Sequence, residues 1–242
     1  MQPVAAARAA RTSSSARTLL ALALSSLIPL VLTAPSADAQ ARQCHSSTTL
    51  SGDVDGDRRS DQISISGRPD ARYGCRFVLV VRVEKRTYRL RLKEGLLTAP
   101  NVNVRIADLS GLARIDRQPG AEILVTLNRS ASGGGDGVYT FRRDRLRYMP
   151  IAGHNRIDGI FWHNQAGLGG TRADCWKGPA TGYVISMSYQ SARSRPGQDV
   201  TRILYRVRGD RFRVVWVRHY RHTSRRFAEQ RSGLFESCRA RR

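Results

Sequence analysis

The chain has 242 residues, with 41 Lys and Arg against 19 Asp and Glu and a formal net charge of +22. That is length enough to bury a core as one domain or two small ones, and after one long apolar stretch near the N-terminus no second stretch of that length follows to form another membrane-spanning helix. Nearly all the positive charge is arginine, Lys85, Lys93 and Lys177 being the lysines. This bias fits either a GC-rich coding sequence or a surface that adheres to an anionic polymer such as wall phosphate, acidic polysaccharide, lipid headgroups or nucleic acid.

In chain order, Arg8, Arg11 and Arg17 precede an apolar run over 19–32, and Ala37-Asp38-Ala39 precedes Gln40. This is the layout of a cleaved signal peptide. A single-span anchor is the rival reading, but Ser25, Ser26 and Pro29 interrupt the run, which falls short of the roughly 18 apolar residues a span needs. The expectation is therefore a signal peptide over 1–39, no transmembrane segment in the mature chain, and a secreted product. Residues 40–242 then form a mature chain of 203 residues; the leader removes three arginines and one acid, which leaves a charge of +20.

Four cysteines, Cys44, Cys75, Cys175 and Cys238, read as two disulfides in an exported protein, with three possible connectivities. Pairing Cys44 with Cys75 and Cys175 with Cys238 is favoured, because the first bridge ties down the new N-terminus and the second pins the C-terminal tail. No close C-x-x-C spacing points to zinc.

The mature sequence alternates as strands do. Phe77, Leu79, Val81 and Val83 share one face; the chain turns near Glu84-Lys85-Arg86, and Tyr88, Leu90 and Leu92 return. Ile123, Val125 and Leu127 follow Pro119-Gly120, and Tyr139 and Phe141 lead through Arg143-Asp144 to Leu146 and Tyr148. A third instance has Tyr183, Ile185, Met187 and Tyr189, then Ile203, Tyr205 and Val207, a turn at Gly209-Asp210, and Phe212, Val214 and Trp216. The arms at Tyr88, Leu146 and Phe212 lie 58 and 66 positions apart. Such a period predicts an all-β fold of about three four-stranded antiparallel sheets arranged as propeller-like blades. An ordinary antiparallel sandwich is the alternative. The units cover roughly 44–95, 100–152 and 155–220, with a tail over 221–242. A glycine-rich loop is expected over 130–137 and a short helical turn over 227–231.

Residues 53–61 read Asp-Val-Asp-Gly-Asp-Arg-Arg-Ser-Asp, with acids at loop positions 1, 3, 5 and 9. Calcium takes six to eight oxygen ligands, and acids alternating on a tight loop can aim several carboxylates at one centre. The candidate ligands are Asp53, Asp55, Asp57, Asp61 and, as a carbonyl at position 7, Arg59. Leu50 before the loop and the alternating Gln62-Ile63-Ser64-Ile65 after it place the loop between strands, unlike an EF-hand. With these flanks, 50–66 resembles the FG-GAP or VCBS-type repeat, which is similar to the propeller blades of integrin alpha subunits. The resemblance implies calcium held at Asp53, Asp55, Asp57, the Arg59 carbonyl and Asp61. The chain departs from the pattern at position 6, where Arg58 replaces the usual glycine. Two later stretches read as worn copies of the loop, one starting at Asp108 and reaching Asp116, the other running from Asp116 to Glu122.

Other signals carry less. Arg208-Gly209-Asp210 sits where a hairpin must turn. His163-Asn164, His219 and His222 lack a third ligand or nucleophile at a recognisable spacing. No G-x-S-x-G elbow, H-E-x-x-H helix or phosphate loop is present. The function expected is a secreted calcium-binding β-repeat module serving as a binding or structural protein for an anionic extracellular partner. A secreted hydrolase is the alternative, and would group His154, His163 or His219 with a carboxylate or serine. A repeat fragment that completes a larger assembly through a sheet edge is the third reading.

Overall fold

Strand follows strand wherever apolar residues alternate. The computed structural model describes residues 44, 48–70, 74–92, 107–130, 133–152, 160–166, 169–191, 197–223 and 235–240. The leader, the expected turn at 227–231 and His154 lie outside the described residues.

The first unit is a meander of β1 (Thr49–Gly52), β2 (Asp61–Asp70), β3 (Gly74–Val83) and β4 (Arg86–Arg91), hydrogen-bonded in that order. The second consists of β5 (Asp108–Ala113), β6 (Glu122–Ser130), β7 (Gly133–Arg142) and β8 (Arg145–Tyr148). The third consists of β10 (Ile160–Ala166), β11 (Gly169–Cys175), β12 (Tyr183–Ser191), β13 (Gln198–Arg208) and β14 (Arg211–Thr223), and the two-residue β9 (Ile151–Ala152) pairs with β14 in parallel. The fold is all-β, in three antiparallel units of four to five strands, and the described strands close into no barrel.

Two details differ from the expectation. The second and third units are not isolated from one another but are hydrogen-bonded through the edge of β7. Strand β7 carries β8 beside its C-terminal half and β10 beside its N-terminal half, which joins the two units into one continuous strand order. For the same reason the glycine run at 133–137 is strand rather than loop: Gly133, Gly134, Gly135 and Gly137 take their register from β6 on one side and β10 on the other. Small residues let a second backbone approach closely; a Cβ on Gly137 would lie 2.6 Å from Leu127 Cδ1.

The units stack face to face. One core holds Ile63, Ile65, Phe77, Leu79 and Val81 of the first unit against Leu109, Ile123, Val125, Leu127, Tyr139 and Phe141 of the second. A second core holds Leu124, Val138 and Ile115 against Phe161, Val184, Ile203, Tyr205 and Phe212 of the third. The middle sheet is thus buried on both faces, which is why the segment Ile123-Leu124-Val125 is apolar without a break. Two disulfides, Cys44–Cys75 and Cys175–Cys238, join the pairs expected. The second holds the last described turn, Glu236–Cys238, against β11, where the Phe235 N–H donates to the Ala173 carbonyl.

Candidate metal centre

The pairing of Gly52 with Asp61 leaves residues 53–60 as the connection between β1 and β2. Val54 is fully buried and anchors this loop in the first core. Its N–H donates to Asp61 Oδ2 at 2.9 Å. Asp53 caps the loop, its Oδ1 accepting the Gly56 N–H at 2.6 Å and its Oδ2 the Arg58 N–H at 3.1 Å, while Asp55 Oδ1 accepts the Asp57 N–H at 2.9 Å. Short acidic side chains favour such local bonds, and these wind the loop tightly enough to turn its carboxylates inward. Gly56, at φ 93°, supplies a backbone that a side chain would strain.

Three of the five candidate ligands come together. One carboxylate oxygen from each of Asp53, Asp55 and Asp61 lies within 4.8 Å of the others. Asp57 is outside this trio: its Oδ1 accepts the Arg59 N–H at 2.7 Å. The Arg59 side chain reaches away to Glu84 Oε1, 3.1 Å distant on the next hairpin. The charges are nonetheless felt mutually. Burial, and then repulsion from Asp55, Asp57 and Asp53, holds the Asp61 carboxyl above its ordinary range against the opposing Val54 N–H. Burial and the charges of Asp57 and Asp53 raise Asp55 likewise. An all-oxygen group in which the Asp55 and Asp61 carboxyls are both raised fits a hard cation.

The second unit has a matching connection. This connection, between paired Ala113 and Glu122, is residues 114–121, and in the third unit Cys175 pairs with Val184 across residues 176–183. All three connections are eight residues long. The Ile115 N–H donates to Glu122 Oε2 at 2.8 Å, as Val54 does to Asp61, and the Gln118 N–H donates to Asp116 Oδ1 at 2.8 Å, as Asp57 does to Asp55. Asp116 and Glu122 therefore stand where Asp55 and Asp61 stand. Between them lies Arg142: its Nη2 is 2.7 Å from Glu122 Oε1 and 3.4 Å from Asp116 Oδ1. A guanidinium occupies the relation to these two acids that an ion would hold in the first loop. The pairing register, Gln62 with Arg82 in the first unit and Ile123 with Tyr139 in the second, matches Arg142 not to a strand residue but to Lys85 in the turn of the first hairpin. Arg114 replaces Asp53, and the third loop, Trp176-Lys177-Gly178-Pro179-Ala180-Thr181-Gly182-Tyr183, has lost its acids altogether.

This alignment corrects the reading of the worn copies. Asp108 is no loop residue; it opens β5, where its Oδ1 accepts bonds from the Thr48 hydroxyl and the Leu109 N–H. The stretch from Asp116 to Glu122 is not a shortened loop but the last part of a full-length one that begins at Arg114. An apolar-acid pair with a second acid six residues on, Val54-Asp55 to Asp61 and Ile115-Asp116 to Glu122, is the sequence signal that marks it.

The loops also touch. The Ala121 N–H donates to the Asp53 carbonyl at 2.9 Å, and Arg142 Nη1 to the Val54 carbonyl at 3.3 Å. A Cβ on Gly120, itself at φ 86°, would lie 2.5 Å from the Val54 carbonyl oxygen. The Ala180 and Gly182 N–H groups donate in turn to the Arg114 and Ile115 carbonyls.

His219 is exposed on β14 and bonds the Thr201 hydroxyl at 3.0 Å, and Gly209, at φ 63°, turns the β13–β14 hairpin as expected. His163 and His222 belong to β10 and β14, their side chains outside the described set. No described helix is long and apolar enough to cross a membrane. Comparison of the chain with protein-family models, with curated proteins and with solved structures returns no match.

Proposed function

We propose that the chain is a secreted, calcium-stabilised β-repeat module of the FG-GAP or VCBS type that meets an anionic extracellular partner. The observation that carries the metal reading is Arg142: a matching loop 61 residues on holds a fixed positive group between the counterparts of Asp55 and Asp61, whereas the first loop brings three carboxylates together. Bound calcium would supply the neutralising charge there. Asp53, Asp55 and Asp61 would hold it directly, Asp57 and the Arg59 carbonyl completing the oxygen set, and Val54 would transmit the fixed loop to the core. The net charge of +22 supports the partner's sign, and two disulfides are in keeping with an oxidising destination.

Calorimetric titration of the mature chain with calcium tests the site. Saturable binding that Asp55→Ala removes is the expected result, and an isotherm that Asp55→Ala leaves unchanged rejects it. A pull-down against wall polymer, lipid and nucleic acid at two salt concentrations tests the partner, since binding led by charge weakens as salt rises.

A further inference from the structure

On the side of the middle sheet that faces the third unit, a cleft of about 850 Å³ opens between corresponding loops and hairpins. Arg117, Arg142, Arg143, Arg145, Arg147 and Arg206 line it, against two carboxylates, Asp116 and Asp210. Arg142 is held by Glu122 and Asp116, and Arg147 by Asp210 at 3.2 Å. Arg206 lies over the Tyr183 ring at 5.7 Å. Among the described residues no acid pairs with Arg117, Arg143, Arg145 or Arg206, so the lining carries a surplus of four positive charges. The equivalent gap between the first and second units is closed. There the Tyr88 hydroxyl donates to Asp144 at 3.0 Å, and the Tyr88 ring packs edge-on to Phe141 at 4.7 Å. A second sign lies at the cleft wall, where Thr140 is 3% exposed and its hydroxyl has no hydrogen-bond partner among the described residues.

We infer that this cleft binds a linear oligophosphate, an anion of two or more linked phosphate groups. Crowded guanidinium groups repel one another until an anion arrives, and a concave wall of one sign focuses the field. Guanidinium forks engage phosphate oxygens two at a time. A lone phosphate would neutralise about half the surplus and fill little of the volume, whereas a chain of three satisfies both. The Thr140 hydroxyl offers a further donor at the wall. The inference deepens the anionic-partner half of the proposed function and is independent of its calcium half.

The test is calorimetry of the mature chain in low salt with a chelator present, using tripolyphosphate and, separately, orthophosphate as titrants. Saturable one-site binding is expected, with tripolyphosphate at least about 10-fold the tighter, as added charge-assisted contacts require. The exposed triple variant Arg117→Ser/Arg143→Ser/Arg145→Ser should weaken it by roughly 30-fold or more, while the charge-matched triple Arg68→Ser/Arg82→Ser/Arg89→Ser, on the first unit away from the cleft, stays within about 2-fold. No saturable binding, or equal losses in the two triples, overturns the site in favour of diffuse attraction. Matching thermal unfolding of both triples shows that a loss is not misfolding. Retained binding in Asp55→Ala separates this site from the metal reading, and tripolyphosphate binding without capture of any polymer keeps the cleft while refuting the polymer partner.

Discussion

Arg58 occupies the left-handed region at φ 68°, a conformation that costs a residue with a Cβ about 1–2 kcal/mol. Glycine there would remove that cost but free the unfolded chain by about 0.5–1 kcal/mol. Arg58→Gly should therefore shift thermal unfolding little, while removal of a positive charge from the loop tightens calcium by roughly 3-fold in calorimetry. Glu122 makes the opposite point about charge. It is fully buried, and burial, then the Asp116 charge, pushes its carboxyl up to about 7 in spite of the Ile115 N–H and Arg142. Because the native state then holds the proton more tightly than the unfolded chain, stability falls as pH rises from the ordinary carboxylate value through the raised one, by on the order of 3 kcal/mol. Unfolding midpoints across that interval should fall less steeply in Glu122→Gln than in the parent. Equal slopes would show that Arg142 cancels the burial penalty.

At the scale of elements, the loops are fitted to one another through glycine. Gly120 has a positive φ and sits against the Val54 carbonyl, so Gly120→Ala should destabilise by about 3 kcal/mol or more, read as a drop in the denaturant midpoint. The aspartate loop, the hairpin turns and both cysteine pairs were legible because each depends on residues close in sequence or on the need to restrain a chain end. Position 6 of the loop was legible as well, since the pattern asks for glycine and the backbone at Arg58 is left-handed. What could not be read was lateral. Nothing local distinguishes the glycines at 133–135, which look like a loop until β10 supplies a partner, and Arg142 reveals its role only once β7 lies beside the start of β6. Asp108 misled because an acid ahead of a glycine resembles a turn when the pairing of β5 with β6 is not yet known.

At the scale of the whole molecule, two cores share one sheet. Leu124 faces the second core while its neighbours Ile123 and Val125 face the first, so Leu124→Ala should cost about 2–5 kcal/mol and loosen the third unit before the first, as hydrogen exchange would show. Removing the Cys175–Cys238 bridge in the double variant Cys175→Ser/Cys238→Ser should cost about 4 kcal/mol in the chain-entropy picture, measurable as a lower denaturant midpoint with Cys44–Cys75 kept oxidised. The guanidinium of Arg142 adds an asymmetry. It is tethered by its own backbone and never dissociates, whereas the ion proposed for Asp53, Asp55 and Asp61 would come and go with its surroundings. Withdrawing calcium should thus quicken amide exchange over 53–61 and leave 114–122 as slow as before. One end of the stack would then report the mineral content of the medium, while its centre keeps the same shape in hard water and soft.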